Sequence, residues 1–421
     1  MVLQKISSVF KDELLRKKIF YAVLGLFLFR LLAAIPIPGV DAERLAGFLD
    51  SNQFFGLFNI FSGSGLSTLS IVMLGVGPYI TASIIMQLLT MMSSKLKAMY
   101  HEEGEAGRLK FAQYSRRLSV PLAAIQAFAF LVFLGRNGLI AELHGLTLVA
   151  NIIAVTAGSV LLMWLGELIT EYGIGNGVSL IIFGGIVAAL PQSAYRLVAT
   201  FDPSQIPTYL GFLIAAVLVV WAVVVITEAE RPIPIHYAKR VRGAKMYGGI
   251  STYLPLRVNQ AGVIPIIFAL SIVVFPPLIF NVLAGLGNPL LATISKYVVD
   301  LFANGWFYAI LYFILVFVFT YFYTAVTFDP ENISSNLQKG GAFIPGVRPG
   351  PSTSEYLSKV IVRITLVGAI FLALIAVLPL AMQAFTGNPS LVVGGTALLI
   401  AVSVVIDLIK KLDAQVSMRE Y

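Results

Sequence analysis

The residues of this chain that could do covalent or metal chemistry are few and stand apart. His101, His144 and His236 fall in three separate polar stretches and offer no metal-ligand spacing. The run Gly173-Ile174-Gly175-Asn176-Gly177 has the glycine density of a phosphate loop, but no strand-like segment precedes it and the Lys-Ser/Thr ending is missing. It reads better as a tight turn between two apolar segments. No serine, histidine and aspartate set can be assembled from the remaining positions. Cysteine is absent, which excludes disulfide and thiol chemistry. The expectation is a protein that is not an enzyme and that needs no metal or cofactor.

What stands in place of catalytic groups is a set of uncharged polar residues inside apolar runs: Thr81, Ser83 and Gln87 in residues 69–92, and Gln126 in residues 118–135. Such groups in hydrocarbon usually join helices to one another. The first of these runs, LSIVMLGVGPYITASIIMQLLTMM, is of membrane length but is broken near its start by Gly75, Gly77 and Pro78. The stretch before it, FFGLFNIFSGSGL at residues 54–66, is too short to cross a bilayer. Irregular backbone at membrane depth is tolerated only where protein buries it or where it lines a water-filled cavity. The pattern therefore points to a pore or a transport path.

Elements that could position such a path follow from composition. The chain is 58% hydrophobic and 12% charged, with a mean hydropathy of +0.88, whereas soluble domains run at about 25% charged. Runs near the length of a membrane helix lie at 19–35, 69–92, 118–135, 146–169, 178–195, 209–227, 261–284, 305–328, 361–382 and 391–409, giving ten spans and one short re-entrant candidate. With a cytoplasmic N-terminus, 24 of the 29 Lys and Arg residues fall on the cytoplasmic side and four on the other, with Arg30 inside the first span. That bias places both termini in the cytoplasm. The first apolar run has the basic flank and small-residue end of a secretory signal, but nine further spans favour an uncleaved anchor. The net charge of +8 serves topology and attraction to anionic lipids, or docking of an acidic partner such as ribosomal RNA.

Five spans precede residue 200 and five follow it, so the second half must enter the membrane from the opposite side, as in an inverted repeat. The predicted units are 1–200 and 201–421. In each, the second span carries glycine and proline near its start: Gly75, Gly77 and Pro78 in one, Gly262 and Pro265 in the other. Glycine and proline are also simply commoner in membrane helices. Ionisable residues are scarce at depth: Arg30, Glu167, Arg363 and Asp407 approach it, the last three near cytoplasmic ends where they can snorkel. A path with weak polar lining and no binding charge suits a permissive conduit better than an ion-coupled carrier.

Several blocks carry a resemblance to a known family. LGVGPYITASIIMQLL (74–89), GELITEYGIGNGVSLIIF (166–183), STYLPLRVNQAGVIPIIFA (251–269), GAFIPGVRPGPST (341–353) and GGTALLIAVSVVID (394–407) resemble, in this order, the signature regions of the SecY family, the main subunit of the bacterial protein-conducting channel. The resemblance implies an all-α membrane protein with two inverted halves of five helices around an hourglass pore. It implies a neck of aliphatic side chains at Val76, Ile80, Val178, Ile182, Ile267 and Ile400, which spacing alone would assign to ordinary packing. Such a neck dewets and blocks ions, yet branched side chains can part around a moving polypeptide.

The same resemblance implies a plug about residues 54–67, with Phe58, Asn59, Ile60, Phe61, Ser62, Gly63, Ser64 and Gly65 at its centre; without the family this stretch reads equally as an interfacial helix. A lateral gate is implied between spans two and three and spans seven and eight, with Thr81, Gln87, Gln126 and Phe275 at gate positions. Two loops, about 229–257 and 329–360, resemble docking loops. The first, at 231–249, alternates like a projecting ribbon with a basic tip at Lys239, Arg240 and Arg242. The second has Pro-Gly turns around Arg348 and a capping-box spacing from Ser352 to Glu355. Basic loop tips are commonly just solvated and topogenic. Implied partners are SecE, SecG, the SecA motor, the ribosome, signal peptides and nascent chains, in a bacterial cytoplasmic membrane. Two other classes fit less well: a secondary transporter, which would need a charged midplane site, and a membrane insertase without a continuous pore.

Overall fold

The computed structural model describes residues 12–38, 65–66, 68–136, 138–140, 145–199, 203, 206–237, 240–242, 245–247, 251–284, 288–386 and 390–417. Helices lie over all ten predicted apolar runs. They are α1 (Glu13–Ala33), α2 (Gly77–Met92), the short α3 (Ser94–His101), α4 (Gly104–Arg136), α5 (Leu146–Tyr172), α6 (Gly177–Ala199) and α7 (Ile206–Glu228). After a β-ribbon come α8 (Ile264–Leu283), α9 (Pro289–Ala303), α10 (Gly305–Thr327), α11 (Pro330–Lys339), α12 (Pro351–Thr386) and α13 (Ser390–Ser417). Among the described residues, Gly104–Arg136, Leu146–Tyr172, Tyr209–Glu228, Gly305–Lys339 and Pro351–Met382 are each long and apolar enough to cross a membrane. Gly77–Met92, Gly177–Pro191 and Ile264–Val273 are apolar but shorter.

One hydrophobic cluster draws residues from nine helices: Phe29, Ile80, Leu162, Ile182, Val219, Ile267, Tyr312, Leu372 and Ile400 are all buried in it. The outward faces are apolar as well, with Leu213, Val217 and Trp221 of α7 exposed. A water-soluble protein does not carry such a surface without a partner, and a bilayer is the solvent that suits it.

The broken start of the second span is irregular, as its glycines and proline require. Residues 68–76 run through turns, Pro36 bridges to Ser70, Gly75 has φ +57° and α2 begins only at Gly77. Protein buries this backbone: Leu66, Leu69, Met73 and Leu74 pack with Phe130, Leu131 and Leu134 of α4 in a second cluster. The second half repeats the turn. Gly262 has φ +61°, Val263 caps α8 as Val76 caps α2, and Pro265 sits in the first turn as Pro78 does. Proline costs nothing there, because its missing N–H is one that a helix start leaves unpaired. The Ile80 N–H donates to the Val76 carbonyl at 3.1 Å and the Ile267 N–H to that of Val263 at 3.3 Å.

The glycine run at 173–177 forms the expected tight turn between α5 and α6. Gly175 has φ +87°, the Gly177 N–H donates to Thr170 Oγ1 at 2.8 Å, and Asn176 Oδ1 accepts from the Ser179 N–H. The 231–249 ribbon is longer than predicted: β1 (Glu230–Tyr237) pairs antiparallel with β4 (Ser251–Arg257), and β2 (Arg240–Arg242) with β3 (Lys245–Tyr247) form its tip. A short β5 (Ala342–Phe343) from the second loop adds to β1. Two expectations need correction. Pro351, before Ser352, already starts α12, and Glu355 bonds Lys359 at 2.7 Å rather than closing a capping box. Helix α9 was not foreseen, because its apolar residues recur at helical spacing instead of forming a continuous run.

Candidate functional site

The residues implied as a neck come together. Val76, Ile80, Ile182, Ile267 and Ile400 are all buried in the main cluster, and Val178 packs against it. They are carried by the start of α2, by α6, by α8 and by α13, and α8 packs on α2 while α13 packs on α6. Four of them line a cavity of about 650 Å³. Ile80, Val178, Ile182 and Ile267 line its apolar part, while Ser83, Gln87, Thr170 and Asn176 line it with polar groups at the end of the molecule that carries the α5–α6 turn.

The cavity wall is more charged than the sequence reading allowed. Glu105, Arg116, Glu167 and Glu171 all line it. Arg116 Nε donates to the Glu167 carboxylate, joining α4 to α5 across 51 residues of sequence. In sequence Arg116 reads as a loop cation and Glu167 as a snorkelling end; only the packing of α4 on α5 reveals the pair. Glu167→Gln is expected to cost on the order of 1 kcal/mol, as for a half-exposed pair. The joint exchange Arg116→Glu with Glu167→Arg should recover much of the loss caused by either reversal alone, read as thermal stability of the detergent-solubilised protein. An exchange no better than the single reversals would remove the coupling.

Helix α8 packs against both α2 and α4, the two helices implied as one side of the lateral gate. Thr81 is buried, and its hydroxyl donates to the Gly77 carbonyl one turn back at 3.0 Å. Gln126 is buried on α4, and Gln87 lines the cavity with its Oε1 buried and without a hydrogen-bond partner among the described residues. Phe275 lies on α8, with its side chain outside the described set. Of the eight residues at the centre of the implied plug only Gly65 is described; Phe58, Asn59, Ile60, Phe61, Ser62, Gly63 and Ser64 lie outside the described residues, as does Lys239.

The two basic loops, read separately in sequence, share a core. Ile233 and Leu256 of the ribbon pack with Ile344 and with Leu357, Val360 and Ile361 of α12. Arg240 and Arg242 lie on the backbone of the ribbon tip. Arg348 is exposed between two turns closed by Gly346 (φ +81°) and Gly350 (φ +100°), and its carbonyl accepts from Thr353 Oγ1 at 2.8 Å. Pro-Gly at these turns supplies the φ values they need.

Known proteins resemble this chain in sequence and in fold. A family profile described as SecY matches residues 70–409. The protein translocase subunit SecY of Thermotoga maritima is 40% identical over 429 residues, covering 99% of this chain and 96% of that protein. Its counterpart in Streptomyces coelicolor is 41% identical over 440 residues, covering 100% and 99%. Among solved structures, a protein-conducting channel superposes with a TM-score of 0.65 at 20% identity, covering 95% of this chain and 92% of that one. Sec61 from the canine ribosome–channel complex superposes with a TM-score of 0.61 at 19% identity, with the same coverage.

Proposed function

From the premise that this chain belongs to the SecY family and is a protein-conducting channel subunit of a translocase rather than an enzyme, we propose a route for the polypeptide through it. Unfolded secretory chains enter the cavity and pass the neck formed by Val76, Ile80, Val178, Ile182, Ile267 and Ile400. Hydrophobic segments leave sideways where α8 meets α2 and α4, past Thr81, Gln87, Gln126 and Phe275. Residues 58–65 plug the far side at rest. The two units, 1–200 and 201–421, are inverted halves, a reading supported by the matching Gly-Val-x-Pro turns at 75–78 and 262–265. The single observation that carries the route is four branched aliphatic residues from three helices, Ile80, Val178, Ile182 and Ile267, lining one cavity beside the polar groups of Ser83, Gln87, Thr170 and Asn176. Such a neck excludes hydrated ions and needs no binding energy for the passing chain.

The chain sits in the bacterial cytoplasmic membrane with both termini in the cytoplasm. Elongation by the ribosome or ATP hydrolysis by SecA supplies the driving free energy, SecE braces the two halves, and SecG and anionic lipids complete the assembly. Arg240, Arg242 and Lys239 at the ribbon tip, with Arg348 in the neighbouring loop, face the motor or the ribosome. Charge alone lets such residues reach phosphate, so this docking weakens with salt. Proteoliposomes containing the chain and SecE, supplied with SecA, ATP and a radiolabelled precursor, should yield protease-protected product that depends on ATP and on the signal sequence. No protection, alongside a working control channel, would return the reading to an insertase. In the same assay Arg348→Glu should cut export severely while leaving membrane insertion of the channel intact, and unimpaired export would remove that docking role.

A further inference from the structure

We infer that Ser159 of α5 is a positioning residue of the neck: it holds the turn from which Val76 and Ile80 project, and so sets the resting seal. This rests on the neck reading above. The carbonyl of Gly75 lies in irregular backbone just before α2 and, among the described residues, accepts no backbone bond from that helix. Ser159 Oγ, on a buried side chain, donates to it at 3.0 Å. Next to Ser159, Gly158 lets the same segment come close at a second point, since a Cβ there would lie 2.2 Å from the Ile71 carbonyl oxygen. One turn of α5 therefore grips the segment at Ile71 and at Gly75, four residues apart. Displacing the grip displaces Val76 directly and Ile80 through its bond to the Val76 carbonyl.

The second half repeats the grip with one difference. A Cβ on Gly368 of α12 would lie 2.6 Å from the Val258 carbonyl oxygen, and Val258 precedes Gly262 by four residues, as Ile71 precedes Gly75. The residue beside Gly368 is Ala369, buried and without a hydroxyl. The Gly262 carbonyl accepts instead from Asn259 Nδ2 of its own run at 3.2 Å. In the first half the bond to the turn comes from a neighbouring helix; in the second the turn bonds within itself. Ser159 is thus the point where the position of α5 is imposed on the neck.

Removing the hydroxyl leaves a buried carbonyl unpaired in the sealed arrangement, enough to raise the unsealed population about tenfold. The test is resting ion conductance of proteoliposomes containing the channel with SecE. S159A should leak about tenfold more than wild type, S159T should restore the seal, and S115A should match wild type. Ser115 is the control because its buried hydroxyl bonds only one turn back, to the Phe111 carbonyl of its own helix. A tight S159A channel beside a leaking Ile80→Asn channel overturns the role of Ser159 and leaves the neck standing. If neither leaks, neck and grip fall together. Equal leak from S159A and S159T also overturns the proposal, since the hydroxyl would not be the cause. Should S159A fail to fold, S159C keeps a weak donor of similar volume and should leak to an intermediate degree; a tight S159C channel overturns the assignment.

Discussion

Replacing Ile80 and Ile267 together by asparagine is expected to turn the resting seal into a standing ion leak. The two residues occupy the same place relative to the two Gly-Val-x-Pro turns, each bonded through its N–H to the valine that caps its helix. Both are nearly excluded from solvent, at 8% and 6% exposure. An amide left dry at either position costs roughly 1–3 kcal/mol, and water that enters to satisfy it ends the dewetting that blocks ions. The leak should exceed that of a double leucine replacement by at least about tenfold, because leucine keeps the neck apolar at nearly constant volume. Decay of an imposed potential across vesicles containing the channel and SecE is the measurement. Asparagine and leucine channels of equal tightness would place the seal elsewhere.

Gly177→Ala should do comparable damage by another route. The first residue of α6 lies so close to α5 that an added Cβ would overlap the Gly166 carbonyl oxygen and stand 2.8 Å from Cβ of Ile169. Backbone cannot rotate away as a side chain can, so the two helices must part. Overpacking of this kind costs about 1–3 kcal/mol, and more where backbone is the obstacle. The separation also carries Val178 and Ile182, on the first turns of α6, away from the neck. The expected result is a lower thermal midpoint in detergent together with a raised resting leak. A variant with the wild-type midpoint would show that the α5–α6 contact yields more easily than its geometry suggests.

Much of this architecture was legible in the residues. A helix lies over each apolar run that hydropathy marks, because hydrocarbon leaves few alternatives to a long apolar run. The glycines and prolines at 75–78 and 262–265 marked where the second helix of each half starts late. The proposed neck was not legible from pattern: Ile80 and Ile267 look like any packed aliphatic residue, and only family resemblance singled them out. The Arg116–Glu167 pair was missed because nothing local connects two charges on different helices. Helix α9 escaped because a hydropathy window averages away an amphipathic stripe, and the shared core of the two basic loops because Ile233 and Leu357 are far apart in sequence.

The grip of each fourth-span helix on an earlier turn also constrains the order in which the molecule can be assembled. Helix α2 has only 16 residues, about 24 Å of length against a hydrocarbon layer of about 30 Å. The turns that precede it expose carbonyls that lipid cannot satisfy. This segment cannot be released into the bilayer as a finished unit when it leaves the ribosome. Gly158 and Ser159 are synthesised some 80 residues after it, and Gly368 about 100 residues after the turn at Gly262. At a synthesis rate of about 5–20 residues per second, each turn waits roughly 5–20 s for the helix that completes it. During that interval a nascent copy needs shelter from lipid, so the birth of this channel calls for a holding site that the finished protein no longer requires.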